Sequence, residues 1–103
     1  MKNKTSKLAK MENKRFSILT NNLNQCYICK TPKNDLHEIF GGCRRQVSMK
    51  YGLVIPVCRN CHTRIENNEE IKLKMKHDAE KKWLEYYNKT IEDFIKEFGK
   101  NYI

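Results

Sequence analysis

The sequence has no run of apolar residues that approaches the roughly 20 needed to span a membrane. Its first ten residues, MKNKTSKLAK, also lack the apolar middle of a secretory signal peptide. We therefore expect a cytoplasmic protein without a membrane partner. Thiols stay reduced in that compartment, so paired cysteines are more often metal ligands than disulfide partners.

The chain is short and has no internal repeat. Its 103 residues leave room for one domain with tails, but not for a second hydrophobic core. A domain of this size buries about 60–65% of the surface that its unfolded chain exposes, so a metal or a disulfide often supplements the core. The five cysteines therefore need an explanation.

Acidic residues are scarce in the first part of the chain. Residues 1–64 contain 13 Lys and Arg against 3 acidic residues, a net charge of +10, whereas residues 65–103 contain 8 Lys against 9 acidic residues, a net charge of −1. Positive charge concentrated beside the cysteines favours a nucleic-acid partner, most simply DNA, because phosphate contacts release counterions. A solvated basic surface that only aids solubility is the alternative.

Composition and patterning predict an arm followed by one domain. Residues 1–15 are polar and basic, and we expect a flexible arm. Residues 16–103 are predicted to form a single small α+β domain. Its core, a β-hairpin plus a helix, covers about residues 26–68, and additional C-terminal helices cover about residues 69–98.

Local patterns predict the elements of this domain. Residues 36–40 and 51–57 are strand candidates joined by a basic loop over residues 44–50, and Cys58 opens the first helix of the fold. A longer helix over about residues 69–87 is predicted to face the core with a stripe at every fourth residue: Ile71, Met75, Ala79, Trp83 and Tyr87. Thr90 and Asp93 predict the cap of a last short helix that Gly99 ends.

The cysteines form two pairs of identical spacing. Cys26 and Cys29 are separated by 28 residues from Cys58 and Cys61. Each pair can form a turn that directs two thiolates at one ion, and four thiolates complete a closed tetrahedral Zn²⁺ shell. Iron, disulfides and free core thiols are the alternatives, and the role of a staple favours redox-silent zinc. A closed shell has no position for substrate, so this zinc is predicted to be structural, and Cys43 a spare loop thiol.

Polar side chains flank these cysteines. His37 and Glu38 lie on the first predicted strand, while His62 and Glu66 share one face of the following helix. Two or three of His37, His62 and Glu66 are predicted to hold a catalytic divalent ion, Mg²⁺ or Mn²⁺, and a remaining basic group to activate water for attack on a phosphodiester. Ordinary structural or exposed histidines are the alternative. The residues expected to contact DNA are Arg44, Arg45, Lys50 and Arg59.

Over residues 26–67 the sequence resembles HNH (ββα-metal, His-Me finger) endonucleases with a four-cysteine zinc knuckle, especially the phage and prophage type. The motifs that carry the resemblance are CYIC, LHEIFGG, YGLVIPVC and CRNCH, in this order. The resemblance implies a β-hairpin followed by a helix, with one divalent ion between them. His37 and Glu38 match the family's strand pair of metal ligand and general base, and His62 and Glu66 match its helical positions.

The chain departs from the family pattern at three places. Glu38 stands where histidine is common, and its ordinary pKa of about 4.3 makes it a weaker base than imidazole. Glu66 also stands where histidine is frequent, although a carboxylate binds Mg²⁺ or Mn²⁺ well. The central asparagine has no clear match, since Leu53 and Val54 occupy its expected place. Either His37 is the base, or Glu38 acts with a raised pKa, or catalysis is impaired.

Three functions follow from these patterns. The first is a metal-dependent DNA endonuclease or nickase. The second is a catalytically impaired zinc protein that binds DNA as a recombination accessory or a regulator of host defence. The third is an adaptor that binds a protein partner through aromatic residues of the C-terminal helices: Trp83, Tyr86, Tyr87 and Phe94.

Overall fold

The structure, a computed structural model, describes Lys10 and residues 13–103. Most of the predicted arm, residues 1–9, 11 and 12, lies outside this part. The described residues have the predicted small α+β fold, a two-stranded antiparallel hairpin with four helices. The elements are β1 (Asp35–Glu38), α1 (Arg45–Lys50), β2 (Val54–Val57), α2 (Arg59–Glu66), α3 (Glu69–Tyr87) and α4 (Ile91–Phe98).

The hairpin carries the strand residues of the predicted site. In its register His37 pairs with Ile55 and Glu38 with Val54. β2 is buried along its whole length, whereas β1 is half-buried and so presents polar side chains at the surface. Both strands are shorter than predicted. β1 ends at Glu38, and the side chains of Ile39 and Phe40 enter the core, while the Ile39 amide still donates to the Leu53 carbonyl at 3.0 Å.

The connection between the strands is helical, so the predicted loop over residues 44–50 is wrong. A 3-10 helix (Gly42–Arg44) leads directly into α1, and α2 is therefore not the first helix. α1 has good helix formers but is too short to show an apolar period. The buried Ser48 hydroxyl accepts from the Phe40 amide and donates to the Leu53 carbonyl at 2.6 Å, so it ties α1 to both strand ends.

The two C-terminal helices begin and end where the sequence predicts. The Asn68 side chain accepts a hydrogen bond from the Ile71 amide and caps α3. Thr90 and Asp93 form the predicted reciprocal capping box at the start of α4. Gly99 ends α4 with a φ of 82°, a left-handed conformation that favours glycine.

An aromatic core joins these helices to the hairpin. Trp83, Phe94 and Phe98 are buried, and the Phe94 and Phe98 rings stack with their centroids 4.3 Å apart. Phe40, at the end of β1, contacts Phe98 at 4.8 Å between centroids. The predicted α3 stripe faces this core, with Ala79 and Trp83 fully buried and its other three members partly so.

α3 is the longest helix. Neither it nor any other helix in the described part of the chain combines the length and apolar character needed to cross a membrane.

Candidate metal centre and the cleft beside it

The first cysteine pair lies in a tight turn before β1. A bridge between Gln25 and Pro32 closes the turn, and Lys30 adopts a positive φ of 69° within it. The Cys29 amide points at the Cys26 sulfur, with N and Sγ 3.5 Å apart. The turn therefore directs both thiols to one side.

The second pair lies at the start of α2. Cys58 is the N-cap residue, and its sulfur accepts from the Cys61 amide at 3.4 Å. Cys61 lies in the first turn of the helix and is buried. A helix N-terminus favours negative charge, so this position suits thiolate ligands.

The two pairs converge. The four sulfurs of Cys26, Cys29, Cys58 and Cys61 all lie within 4.8 Å of one another, and those of Cys29 and Cys58 are 3.5 Å apart. All of these cysteines are free thiols. Four sulfurs bound to zinc at about 2.3 Å lie about 3.8 Å apart in a tetrahedron. The cluster therefore fits a structural metal such as zinc, and it joins the start of the hairpin to α2.

The thiols of the cluster are poised unequally for ionisation. Burial opposes ionisation of Cys26, but backbone amides directed at its sulfur outweigh burial and lower its pKa to about 6. Burial and the neighbouring thiols raise the pKa of Cys61 to about 12. A divalent cation is the natural counter-charge for ionisation of the whole set. Cys43 is exposed in the 3-10 helix, outside the cluster.

The cluster brings the strand histidine beside the helix histidine. The His37 and His62 rings meet edge to face, with centroids 5.1 Å apart and an interplanar angle of 64°. Burial, and then the positive charge of His62, lower the pKa of His37. Two of the four predicted catalytic residues are therefore in contact.

His62 is held between two carboxylates. Its Nδ1 lies 3.0 Å from Oδ2 of Asp35, and its Nε2 lies 3.5 Å from Oε2 of Glu66, which shares its helix face as predicted. The hydrogen bond from His62 lowers the pKa of Asp35, and Arg59 adds to the effect. Because a carboxylate only accepts, this contact places the ring proton on Nδ1.

Sequence reasoning missed Asp35. It precedes His37 by two residues, and alternate residues of a strand share a face. This two-residue alternation could have predicted an acidic side chain on the same face of β1 as His37.

Glu38 is engaged by two arginines. Its Oε2 lies 2.6 Å from Nη1 of Arg15, and its Oε1 lies 3.0 Å from Nε of Arg45. The Glu38 side chain is 12% exposed. The two carboxylate oxygens thus hold two parts of the chain against β1: the segment before the first cysteine pair, and α1.

A cleft of about 340 Å³ opens beside these residues. Its lining includes His37 and Glu38 of β1, Glu66 of α2, and Lys72 and Lys76 of α3. Among the described residues, the four cysteines are the one group of three or more His, Cys, Asp or Glu side chains with ligand atoms close enough for a shared metal. The second ion at His37, His62 and Glu66 stays a prediction.

The basic residues predicted to contact DNA are distributed around the strand pair. Arg45 pairs with Glu38, and the exposed Arg59 pairs with Asp35 at 3.3 Å. Lys50 is exposed, with its Nζ 5.1 Å from the centroid of the Tyr51 ring. The Arg44 guanidinium packs against the backbone at Gly99.

The aromatic residues predicted for a protein partner are mostly internal. Trp83 and Phe94 are 1% and 0% exposed. Tyr87 is half-buried and donates its hydroxyl to the Tyr51 carbonyl at 2.9 Å. Tyr86, at 58% exposure, is the member of this set that faces solvent.

Comparisons with protein-family models, with curated proteins and with solved structures yield no match for this chain. The resemblance to HNH endonucleases therefore stays a prediction from sequence motifs. The α+β fold and the four-cysteine cluster stand independently of it.

Proposed function

We propose that this protein is a metal-dependent DNA endonuclease or nickase of the HNH type. The observation that supports it is the contact between His37 of β1 and His62 of α2 beside a cleft that Glu66 also lines. We also propose that the structural metal is zinc. As the sequence predicts, the protein is proposed to be cytoplasmic and associated with a phage or prophage.

His62 and Glu66 are the proposed ligands of the catalytic ion. To bind a metal, His62 would be neutral, with its one ring proton on Nδ1 directed at Asp35 and a lone pair on Nε2, the atom that faces Glu66. Two donor atoms 3.5 Å apart can ligate one ion at about 2.1 Å each. Mg²⁺ or Mn²⁺ would offset the negative charge that develops on the phosphate.

His37 is the proposed general base. Its imidazole takes a proton from a water molecule as the water oxygen attacks phosphorus. The new P–O bond forms while the bond to the leaving oxygen breaks, and the leaving oxygen takes a proton from solvent. The half-buried strand position of His37 fixes the ring beside His62, and this gives the base a defined direction.

DNA affinity is proposed to come from the basic residues that the sequence predicts for this role. Arg45 and Arg59 are oriented by their pairing with Glu38 and Asp35, while Lys50 extends from the end of α1. Such contacts position the DNA backbone without selecting its sequence.

A catalytically impaired DNA-binding protein is the second candidate. The observation that favours it is the engagement of Glu38, the residue at the family's base position, with Arg15 and Arg45. With both carboxylate oxygens engaged by guanidinium groups, Glu38 in this candidate anchors the surrounding segments and takes no proton from water. This candidate keeps the zinc cluster and the basic surface but has no hydrolytic step.

A plasmid-nicking assay with zinc-loaded protein separates the two candidates. Supercoiled plasmid is incubated with wild type, His37→Ala and His77→Ala, each with Mg²⁺, with Mn²⁺ and with no added divalent ion. His77 is the matched control, because it lies on α3 at 41% side-chain exposure, paired with its neighbour Asp78. We expect ion-dependent nicking by wild type and His77→Ala, and none by His37→Ala.

Absence of nicking by wild type with either ion would exclude the endonuclease. Retained, salt-sensitive DNA binding in that case would support the second candidate. Equal nicking by wild type and His37→Ala, with the fold of both verified by circular dichroism, would contradict the role given to His37.

A further inference from the structure

The lining of the cleft beside His37 includes basic residues that the charge distribution of the sequence did not indicate. Residues 65–103 carry a net charge of −1, yet two of their lysines, Lys72 and Lys76, line this cleft together with Glu66. They are four residues apart in α3, so both project from the same face of the helix. Met75, between them in sequence, adds apolar contact to the lining.

Within the described part of the chain, neither lysine has an ionic partner closer than 4.0 Å. Lys72 lies 4.0 Å from the exposed Glu69, the outer limit for an ion pair, and its side chain is 34% exposed. Lys76 instead has its Nζ 5.5 Å from the centroid of the Tyr102 ring. Lys74 of the same helix is paired more closely, because its Nζ lies 3.1 Å from Oδ2 of Asp78.

The C-terminal segment fixes the position of Lys76. Glu80 Oε1 accepts a hydrogen bond from the Tyr102 amide at 2.6 Å, and the Tyr102 ring packs on Phe40 at 5.4 Å between centroids. Tyr102 is thereby anchored to both α3 and the end of β1. The Lys76 ammonium group lies over the Tyr102 ring, and this contact reduces the conformational freedom that the lysine loses on binding a ligand.

We propose that Lys72 and Lys76 each bind a backbone phosphate of the DNA strand that occupies the cleft lined by His37 and Glu66. The inference rests on the proposed function only in taking DNA as the occupant of the cleft. A strand in the cleft would meet both the reacting groups and the two ammonium groups. Lysine is suited to this role, because as a point charge it contacts phosphate without a fixed geometry.

The test compares two charge-matched double variants in the full chain. The first is Lys72→Gln with Lys76→Gln. The control is Lys81→Gln with Lys82→Gln, on the same helix, because these lysines lie on a separate surface beside Asp78 and Glu85 and share no residue with the cleft lining. DNA affinity is measured by fluorescence anisotropy on a labelled duplex, without divalent ion, from about 50 to about 200 mM salt, the range over which phosphate contacts weaken strongly.

The cleft variant is expected to lower the slope of log K against log salt by about two, and the control variant to leave it unchanged. Wild type should bind DNA more tightly than the cleft variant at low salt. The ratio of their binding constants should then fall roughly tenfold as salt rises from about 50 to about 200 mM. Lys72→Arg with Lys76→Arg should restore the wild-type slope, because it restores the charge. Circular dichroism verifies that each variant is folded.

The outcomes separate this inference from the proposed function. If wild type binds and nicks DNA but the cleft and control variants have the same slope, the lysine contact is refuted and the endonuclease stands. If the slope falls only in the cleft variant while wild type never nicks, the phosphate contact is supported and catalysis is refuted. If wild type shows no salt-dependent binding to DNA, both proposals are overturned, and an acidic protein surface would be the next ligand to examine.

Discussion

Nδ1 of His62 lies 3.0 Å from Oδ2 of Asp35, a contact that joins α2 to β1 beside the four-cysteine cluster. It fixes the ring proton on Nδ1, leaves Nε2 toward Glu66 and limits rotation of the imidazole. Residues from two distant segments are thereby held in one arrangement. The strand and helix halves of the candidate site depend on this contact as well as on the sulfurs.

Asp35→Asn should weaken the response of nicking to divalent ions. The amide is a weaker acceptor and carries no charge, so it no longer fixes the His62 tautomer. Loss of such a supporting contact typically lowers metal affinity or activity about 10- to 100-fold. Nicking measured across a range of Mg²⁺ concentrations should show activation displaced to higher concentration.

Arg59→Gln is the control for this variant. It removes the other partner of Asp35, at 3.3 Å, and leaves the contact with His62 in place. An equal displacement of the Mg²⁺ response in Arg59→Gln and Asp35→Asn would show that general charge, and not the orientation of His62, is responsible.

Glu38→Gln should lower stability more than it lowers catalysis. The substitution removes the charge that Arg15 and Arg45 share, and we expect the free energy of unfolding to fall by about 1–3 kcal/mol. Urea unfolding measures this change. Nicking well below the unfolding temperature should persist, because His37 is the proposed base. A fully folded Glu38→Gln protein without nicking would instead identify Glu38 as the base.

Glu80 should make stability depend on pH with a definite sign. It is fully buried, its Oε2 has no hydrogen-bond partner among the described residues, and burial raises its pKa. The folded state therefore holds the proton more tightly than the unfolded state does. The resulting stabilisation is complete below the unfolded pKa of about 4.3 and is lost as pH rises through the folded pKa.

Paired urea titrations of wild type and Glu80→Gln check this sign. The stability of wild type relative to the variant should decline as pH rises from the unfolded pKa towards neutrality, because glutamine has no proton to lose. Glu85→Gln, an exposed position on the same helix, should show no such trend. A relative stability that rises with pH would mean that the carboxylate is favoured in the fold, contrary to its burial.

Thr90→Ala should destabilise α4 and the aromatic core that it completes. The variant loses the hydrogen bond that the Asp93 amide donates to the Thr90 hydroxyl, and such caps contribute about 1 kcal/mol. Thr90→Ser keeps the hydroxyl and should remain close to wild type. Thermal unfolding of the three proteins measures the difference, and equal midpoints for the alanine and serine variants would show that the cap contributes little.

Features with strong local signals could be predicted from the sequence. The paired cysteine spacing identified the cluster, and the apolar stripe, the Thr90–Asp93 box and Gly99 gave the C-terminal helices with their ends. In each case the signal is a short local spacing: three positions within a cysteine pair, four along the stripe and three within the capping box. The shared helix face of His62 and Glu66 followed from the same kind of local geometry.

Features that depend on packing between distant segments could not be predicted. α1 is a six-residue helix tied down by Ser48, and no apolar period marks it. The pairing of Arg15 with Glu38 spans 23 residues, so nothing in the local sequence of Glu38 indicates that arginines engage it. Lys72 stands in a segment of balanced charge, and only the fold brings it to the cleft.

The metal content of the purified full chain tests the central claim most directly. Elemental analysis is made on wild type, Cys58→Ser and Cys43→Ser, all prepared without chelator. We predict one zinc ion per chain in wild type and in Cys43→Ser, whose altered residue lies outside the cluster, and a loss of zinc in Cys58→Ser. Folded wild-type protein that contains no bound metal would contradict the account.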